Sequence, residues 1–96
     1  MYKMAKSIIS NDRVCFVCGT TQNLHRHHII HGYAFRKVSE KYGLWVYLCG
    51  HHHNLSNEGV HFNRELDLKL KRLAQKRFQE EYPDLDFILE FGRNYL

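Results

Sequence analysis

The chain has 96 residues, of which 44% are hydrophobic and 14% aromatic, and its formal net charge is +4. This composition excludes a disordered chain, and the length suits a single domain. No stretch approaches the roughly 20 apolar residues of a membrane span, and the N-terminal residues lack the apolar run of a secretory signal. The small positive charge is compatible with a polyanionic partner but does not establish one.

The N-terminal part of the chain predicts a short helix and then a tight turn. Residues 2–10 suit a helix that ends at the polar cluster which follows them. Residues 14–23 contain Cys15 and Cys18, and Gly19 permits a sharp turn directly after them. This segment therefore has the form of a knuckle that presents two cysteines.

Two strands are predicted on either side of an ambiguous segment. Residues 23–30 (NLHRHHII) are rich in β-compatible side chains, and residues 44–49 (LWVYLC) are aromatic and branched. Between them, residues 33–43 suit either a short helix or a loop.

A longer helix is predicted from Asn63 to about residue 81. Asn63 is a suitable N-cap, and Pro83 ends the helix. One apolar stripe recurs at three- and four-residue spacing: Leu66, Leu70, Leu73, Ala74, Phe78 and Tyr82. The tail that follows is too apolar to remain free, and we expect it to pack back onto the domain.

Cysteine and histidine pairs with metal-ligand spacing occur twice. Cys15 and Cys18 form one pair, and Cys49 and His52 form the other, which together make a Cys3His set for a structural Zn²⁺. This set uses all three cysteines, whereas a disulfide would pair two of them and leave one unpaired. Unpaired cysteines favour a reducing, cytoplasmic compartment. His51 is a second choice for the fourth ligand. The alternative to a metal site is that the three cysteines are buried core residues and the histidine lies on the surface.

All eight histidines of the chain lie between His25 and His61. His27 and His28 belong to the segment between the two cysteine pairs, and His53 directly follows His52. If zinc gathers both ends of that segment, His53 comes close to the strand that carries His27. The pattern therefore predicts a second metal site, open on one side.

The segments CFVC, HHII and LCGHHHN together are similar to the HNH nuclease superfamily in its small zinc-ribbon, ββα-metal form, and they resemble the small nucleases of phages and prophages. The resemblance covers about half of the chain, from residue 14 to residue 61. It implies an α+β fold with a zinc-stabilised, treble-clef-like ββα-metal finger. The core would span about residues 14–62 of a single domain, 1–96, flanked by the N-terminal helix and by a C-terminal helix over residues 63–82.

The resemblance also implies a DNA endonuclease of a bacterial or phage-infected cell. His28 would be the general base, and His27 and His53 would bind the catalytic divalent cation, with Asn57 or His61 as a further ligand. That cation would be Mg²⁺, Mn²⁺, Ni²⁺, Co²⁺ or Zn²⁺, and nitrogen ligands favour the transition metals. The products would carry 5′-phosphate and 3′-hydroxyl ends.

One departure from the family pattern concerns the asparagine that orients the base. No asparagine occurs between His28 and His53. Asn54 or a backbone carbonyl is the candidate for that role.

The expected partner is double-stranded DNA, bound with low sequence specificity, within a larger phage or recombination assembly. Phosphate contacts are expected from basic residues near the histidine pair and in the tail: Arg26, Arg36, Lys37 and Arg93. The main alternative is a non-catalytic zinc module that binds DNA or a protein, which leaves His27, His28 and His53 unexplained.

Overall fold

A two-stranded antiparallel sheet lies at the centre of the fold. The computed structural model describes residues 6–32, 34–53, 59–61 and 63–96. Strand β1 (Leu24–His28) pairs with β2 (Trp45–Cys49) so that His27 lies opposite Val46 and His28 opposite Trp45. Since side chains alternate along a strand, His25 and His27 share one face of β1, and Arg26 and His28 share the other.

Four helices accompany the sheet in the described part of the chain, which makes the fold a small compact α+β structure: α1 (Arg36–Tyr42), α2 (Gly50–His53), α3 (Arg64–Glu81) and α4 (Phe87–Phe91). The ambiguous segment thus contains a helix, α1, which connects the two strands. Helix α2 follows β2 without a break. None of these helices has the length and hydrophobicity that crossing a bilayer requires.

The predicted N-terminal helix is wrong for residues 6–10, which form bends; residues 2–5 lie outside the described residues. Local side chains take the hydrogen bonds that a helix needs. The Ser7 hydroxyl accepts from the backbone amides of Ile9 and Ser10 and donates to the carbonyl of Trp45. Side-chain bonds of this kind compete with the helical i to i−4 pattern, and here they fasten the segment to the start of β2.

Helix α3 follows the predicted apolar stripe. The Asn63 side chain accepts from the amide of Leu66 at 3.1 Å, and the helix ends before Pro83. The tail packs on this helix: Phe87 and Phe91 are buried against Phe78, at 5.4 and 5.9 Å between ring centroids. One hydrophobic cluster joins these rings to the apolar side chains of β2, so the long helix supports the sheet that carries the histidines.

Candidate metal centre

The cysteine knuckle is built by backbone hydrogen bonds. Gly19 has φ +78 and its amide donates to the carbonyl of Cys15 at 2.8 Å, while the amide of Cys15 donates to Thr20 at 2.8 Å. The amide of Phe16 donates to the carbonyl of Tyr47 in β2, also at 2.8 Å. The knuckle is therefore held against the strand whose last residue is Cys49.

Four predicted ligands meet at this point. The ligand atoms of Cys15, Cys18, Cys49 and His52 all lie within 4.8 Å of one another. Cys18 Sγ is 3.8 Å from Cys49 Sγ, and His52 Nδ1 is 3.8 Å from Cys15 Sγ and 3.4 Å from Cys49 Sγ. A tetrahedral zinc ion, with bonds of about 2.3 Å to sulfur and about 2.0–2.1 Å to nitrogen, would separate its ligand atoms by about 3.5–3.8 Å. The cluster could thus hold a metal ion such as zinc, and His52 occupies the position for which His51 was the second choice.

The two knuckle thiols differ in acidity. Burial acts to raise the pKa of Cys15, but backbone hydrogen bonds from Cys49, Cys18 and Val17 outweigh it and lower that pKa to about 6. The backbone bond of Thr20 acts to lower the pKa of Cys18, but burial and the Cys15 and Cys49 sulfurs raise it. One thiolate therefore forms readily, and a nearby cation would favour loss of the second proton.

A second cluster combines three histidines from separate segments: His27 of β1, His53 of α2, and His61. His61 Nε2 lies 3.1 Å from His53 Nε2. Nitrogens bonded to one cation at about 2.0–2.1 Å lie about 3.0–3.4 Å apart. Two backbone bonds place His61 beside α2: the amide of Val60 donates to His52 at 2.8 Å, and that of His61 donates to His53 at 3.2 Å.

His27 is the deepest member of this cluster. Its side chain is 2% exposed, and its Nε2 is buried without a hydrogen-bond partner among the described residues. Burial of a polar atom without a partner lowers the stability of the fold. Binding of a ligand to this nitrogen would offset that cost. Burial, together with the neighbouring histidines, lowers the pKa of His27 to about 3 and that of His53 to about 4. Both imidazoles are therefore neutral at physiological pH, which is the form that binds metal.

His25 contacts the back of the second cluster. Its Nδ1 lies 2.9 Å from Nδ1 of His53, whose other nitrogen faces His61. A hydrogen bond to the remote nitrogen of a ligating histidine fixes the ring and its tautomer. Sequence reasoning left His25 without a role, because its partner is 28 residues away and only the strand register brings them together.

His28 lies on the other face of β1 and is bonded to a carboxylate. Its Nε2 is 2.9 Å from Oε1 of Glu40, a residue of α1 that is only 5% exposed. Arg26 donates to both oxygens of the same carboxylate, at 3.1 and 3.2 Å. Glu40 is a site residue that sequence reasoning missed, because nothing local distinguishes it from a solvent-exposed glutamate of a short helix.

A single cleft of about 620 Å³ joins the candidate base to the candidate metal ligands. Its walls are formed by residues of β1, α1 and α2 and by the turns beside them: Arg26, His27, His28, His31, Gly32, Arg36, Lys37, His53 and His61. His28 and His53 therefore lie in the same depression of the surface. Asn54 and Asn57, proposed as base orienter and metal ligand, lie outside the described residues.

The basic residues proposed for DNA contact lie in three different settings. Arg36 and Lys37 line the cleft at the start of α1. Arg26 is held by Glu40, and its guanidinium lies 3.6 Å from the centroid of the Trp45 ring. Arg93 lies in the tail, 5.3 Å from the centroid of Tyr95.

A comparison of the chain with protein-family models, with curated proteins and with solved structures found no match in any of the three. A functional proposal therefore depends on the residues and geometry described above.

Proposed function

We propose that this chain is a divalent-metal-dependent DNA endonuclease of the HNH, ββα-metal type, with a structural zinc ion at the Cys3His cluster. The observation that carries the proposal is the cleft, which brings together His27, His53, His61 and His28, and in which His27 keeps a buried Nε2 without a partner among the described residues. A histidine on an ordinary solvated surface would keep both ring nitrogens in contact with water, whereas His27 is almost completely buried.

The two clusters suit metal ions with different roles, one structural and one catalytic. The Cys3His set closes a tetrahedron and would have no free position, as in structural zinc sites. His27, His53 and His61 would supply three nitrogens, and the exposure of His61 leaves the set open to the cleft. A cation bound there would supply positive charge that stabilises the departing 3′ oxygen of a phosphodiester. All-nitrogen ligation favours Zn²⁺, Ni²⁺, Co²⁺ or Mn²⁺ over Mg²⁺.

The protein groups would bind the backbone and move one proton. Arg36 and Lys37 would hold phosphates at the mouth of the cleft. His28 would take a proton from a water molecule whose oxygen attacks phosphorus in line with the leaving 3′ oxygen. The phosphorus–oxygen bond to the 3′ side breaks as the new bond forms, which leaves a 5′-phosphate and a 3′ oxyanion, and the oxyanion takes a proton from solvent water to become the 3′-hydroxyl.

A plasmid-nicking assay tests the proposal. Supercoiled plasmid is incubated with the zinc-loaded chain and Mg²⁺, Mn²⁺, Co²⁺, Ni²⁺ or additional Zn²⁺ in turn. The parent should convert supercoiled to relaxed DNA with at least one cation, and His28→Ala should be slower by about 100-fold or more, the usual contribution of a general base. His51→Ala, which removes an exposed histidine of α2, is the matched control and should cut like the parent. Equal rates for His28→Ala and the parent would exclude His28 as the base.

The alternative is a non-catalytic zinc module. The tip of the knuckle exposes two apolar side chains, Phe16 (39% exposed) and Val17 (44% exposed), which suit a protein partner. In the same assay a DNA-binding module would shift the mobility of the plasmid without nicking it under any cation, and a protein-binding module would neither shift nor nick it.

A further inference from the structure

The candidate base has a carboxylate partner, Glu40, in the segment between His28 and His53, where this chain has no asparagine. Glu40 reaches His28 from α1, the helix between the two strands, and its side chain is 7% exposed. The contact is between His28 Nε2 and Glu40 Oε1, at 2.9 Å. It is distinct from the metal cluster, because it lies on the opposite face of β1 from His25 and His27.

This contact selects one tautomer of the histidine. An ionised carboxylate only accepts hydrogen bonds, so a neutral His28 must carry its proton on Nε2 and donate it to Glu40. The lone pair of the ring is then on Nδ1. Arg26 fixes the carboxylate from its other side by donating to both oxygens, and the position of Arg26 is in turn set by the ring of Trp45.

We propose that Glu40 is the positioning residue of the base: it holds His28 as the Nε2–H tautomer, so that Nδ1 accepts the proton from water. This inference depends on the proposed nuclease function for its kinetic consequence, but not for the tautomer itself. A carboxylate partner also stabilises the imidazolium that forms when the proton is taken up, which an asparagine amide does less well.

The competing explanation is that Glu40 merely pairs with Arg26 and anchors α1 to β1. In that case the tautomer of His28 would not depend on Glu40, and loss of Glu40 would slow every variant to the same extent. Two measurements on the full-length, zinc-loaded chain separate these explanations.

The first measurement is the tautomer of His28, from long-range ¹H–¹⁵N correlation spectra of the histidine rings at about pH 8. The parent should show His28 protonated on Nε2. Glu40→Gln should shift the ring toward a mixture of tautomers, whereas Glu80→Gln, an exposed carboxylate at the end of α3, should leave it unchanged. Protonation of the parent ring on Nδ1 would overturn the proposal, and that result requires no variant to fold.

The second measurement is a double-mutant cycle in the nicking assay. Glu40→Gln should lower kcat by about 10- to 100-fold, which is less than the roughly 100- to 10,000-fold contribution of the general base itself, and leave KM for plasmid within about two-fold. In a His28→Ala background the same change should alter the residual rate by less than about two-fold, because residues that act as one unit are not additive. Equal losses in both backgrounds would assign Glu40 to structure alone. A parent that does not nick at all, whose Nε2–H tautomer is nevertheless lost in Glu40→Gln, would count against the proposed function while confirming that Glu40 sets the tautomer of His28.

Discussion

Among the described residues, His25 contacts the proposed cation site only through His53, and the effect of His25 on metal affinity can therefore be separated from direct ligation. If its 2.9 Å bond to His53 Nδ1 fixes the ligand tautomer, His25→Ala should weaken binding of Co²⁺ or Ni²⁺ at the three-histidine cluster by about 10- to 100-fold. Isothermal titration of the zinc-loaded chain measures this affinity. The Cys3His zinc should be retained, because His25 does not belong to that cluster.

The control for this prediction is His51→Ala, which removes an imidazole of similar sequence environment outside both clusters. Its affinity for the added cation should equal that of the parent. If His25→Ala also bound the cation with parental affinity, the orienting role of His25 would be wrong, although the three ligands would stand.

At the same scale, the sequence predicts ligands better than it predicts their partners. Cys15 with Cys18, and Cys49 with His52, are close along the chain, so their spacing alone indicates a shared metal. Glu40 and His25 reach their partners across 12 and 28 residues. Such contacts depend on strand register and on where α1 lies, and neither is encoded in a local motif.

At the scale of elements, Gly43 joins α1 to β2 under the N-terminal segment. It has φ +73, and a Cβ at this position would overlap the backbone carbonyl oxygen of Lys6. Gly43→Ala should therefore combine left-handed backbone strain of about 1–2 kcal/mol with a clash against backbone, and lower the free energy of unfolding by more than about 2 kcal/mol. Chemical denaturation of the zinc-loaded protein measures the loss.

Gly92 provides a matched comparison, because it has the same φ of +73, but among the described residues the nearest neighbour of a Cβ there would be the Phe35 ring, at 3.8 Å. Gly92→Ala should cost only the backbone strain. An equal decrease in the free energy of unfolding for the two variants would show that the N-terminal segment does not pack against the α1–β2 junction in solution.

The alternation of β1 explains how one short strand supplies both a metal ligand and the base: it directs His25 and His27 to one face and Arg26 and His28 to the other, and the one cleft is lined by both His27 and His28. Composition correctly indicated both strands, and the apolar stripe with its Asn63 cap indicated α3. The helix expected over residues 2–10 did not form over its described part, because Ser7 and Asn11 satisfy the backbone locally. Propensity alone could not reveal that competition.

At the scale of the whole molecule, the Cys3His cluster connects the knuckle, β2 and α2, and a chain of 96 residues has a modest core with which to hold them. Cys18 is exposed, so Cys18→Ala removes little buried surface and should be nearly neutral unless it binds metal. If zinc supplies folding free energy, this variant should instead lose cooperative thermal unfolding, together with its bound zinc. Circular dichroism melting and metal analysis of the purified protein measure the two effects.

Val17→Ala, at a neighbouring position that is 44% exposed, controls for a change on the knuckle surface and should melt like the parent with its zinc bound. A Cys18→Ala protein that melts at the parental temperature would mean that packing alone brings the four ligands together, and the histidine cleft would then keep its shape without the zinc ion.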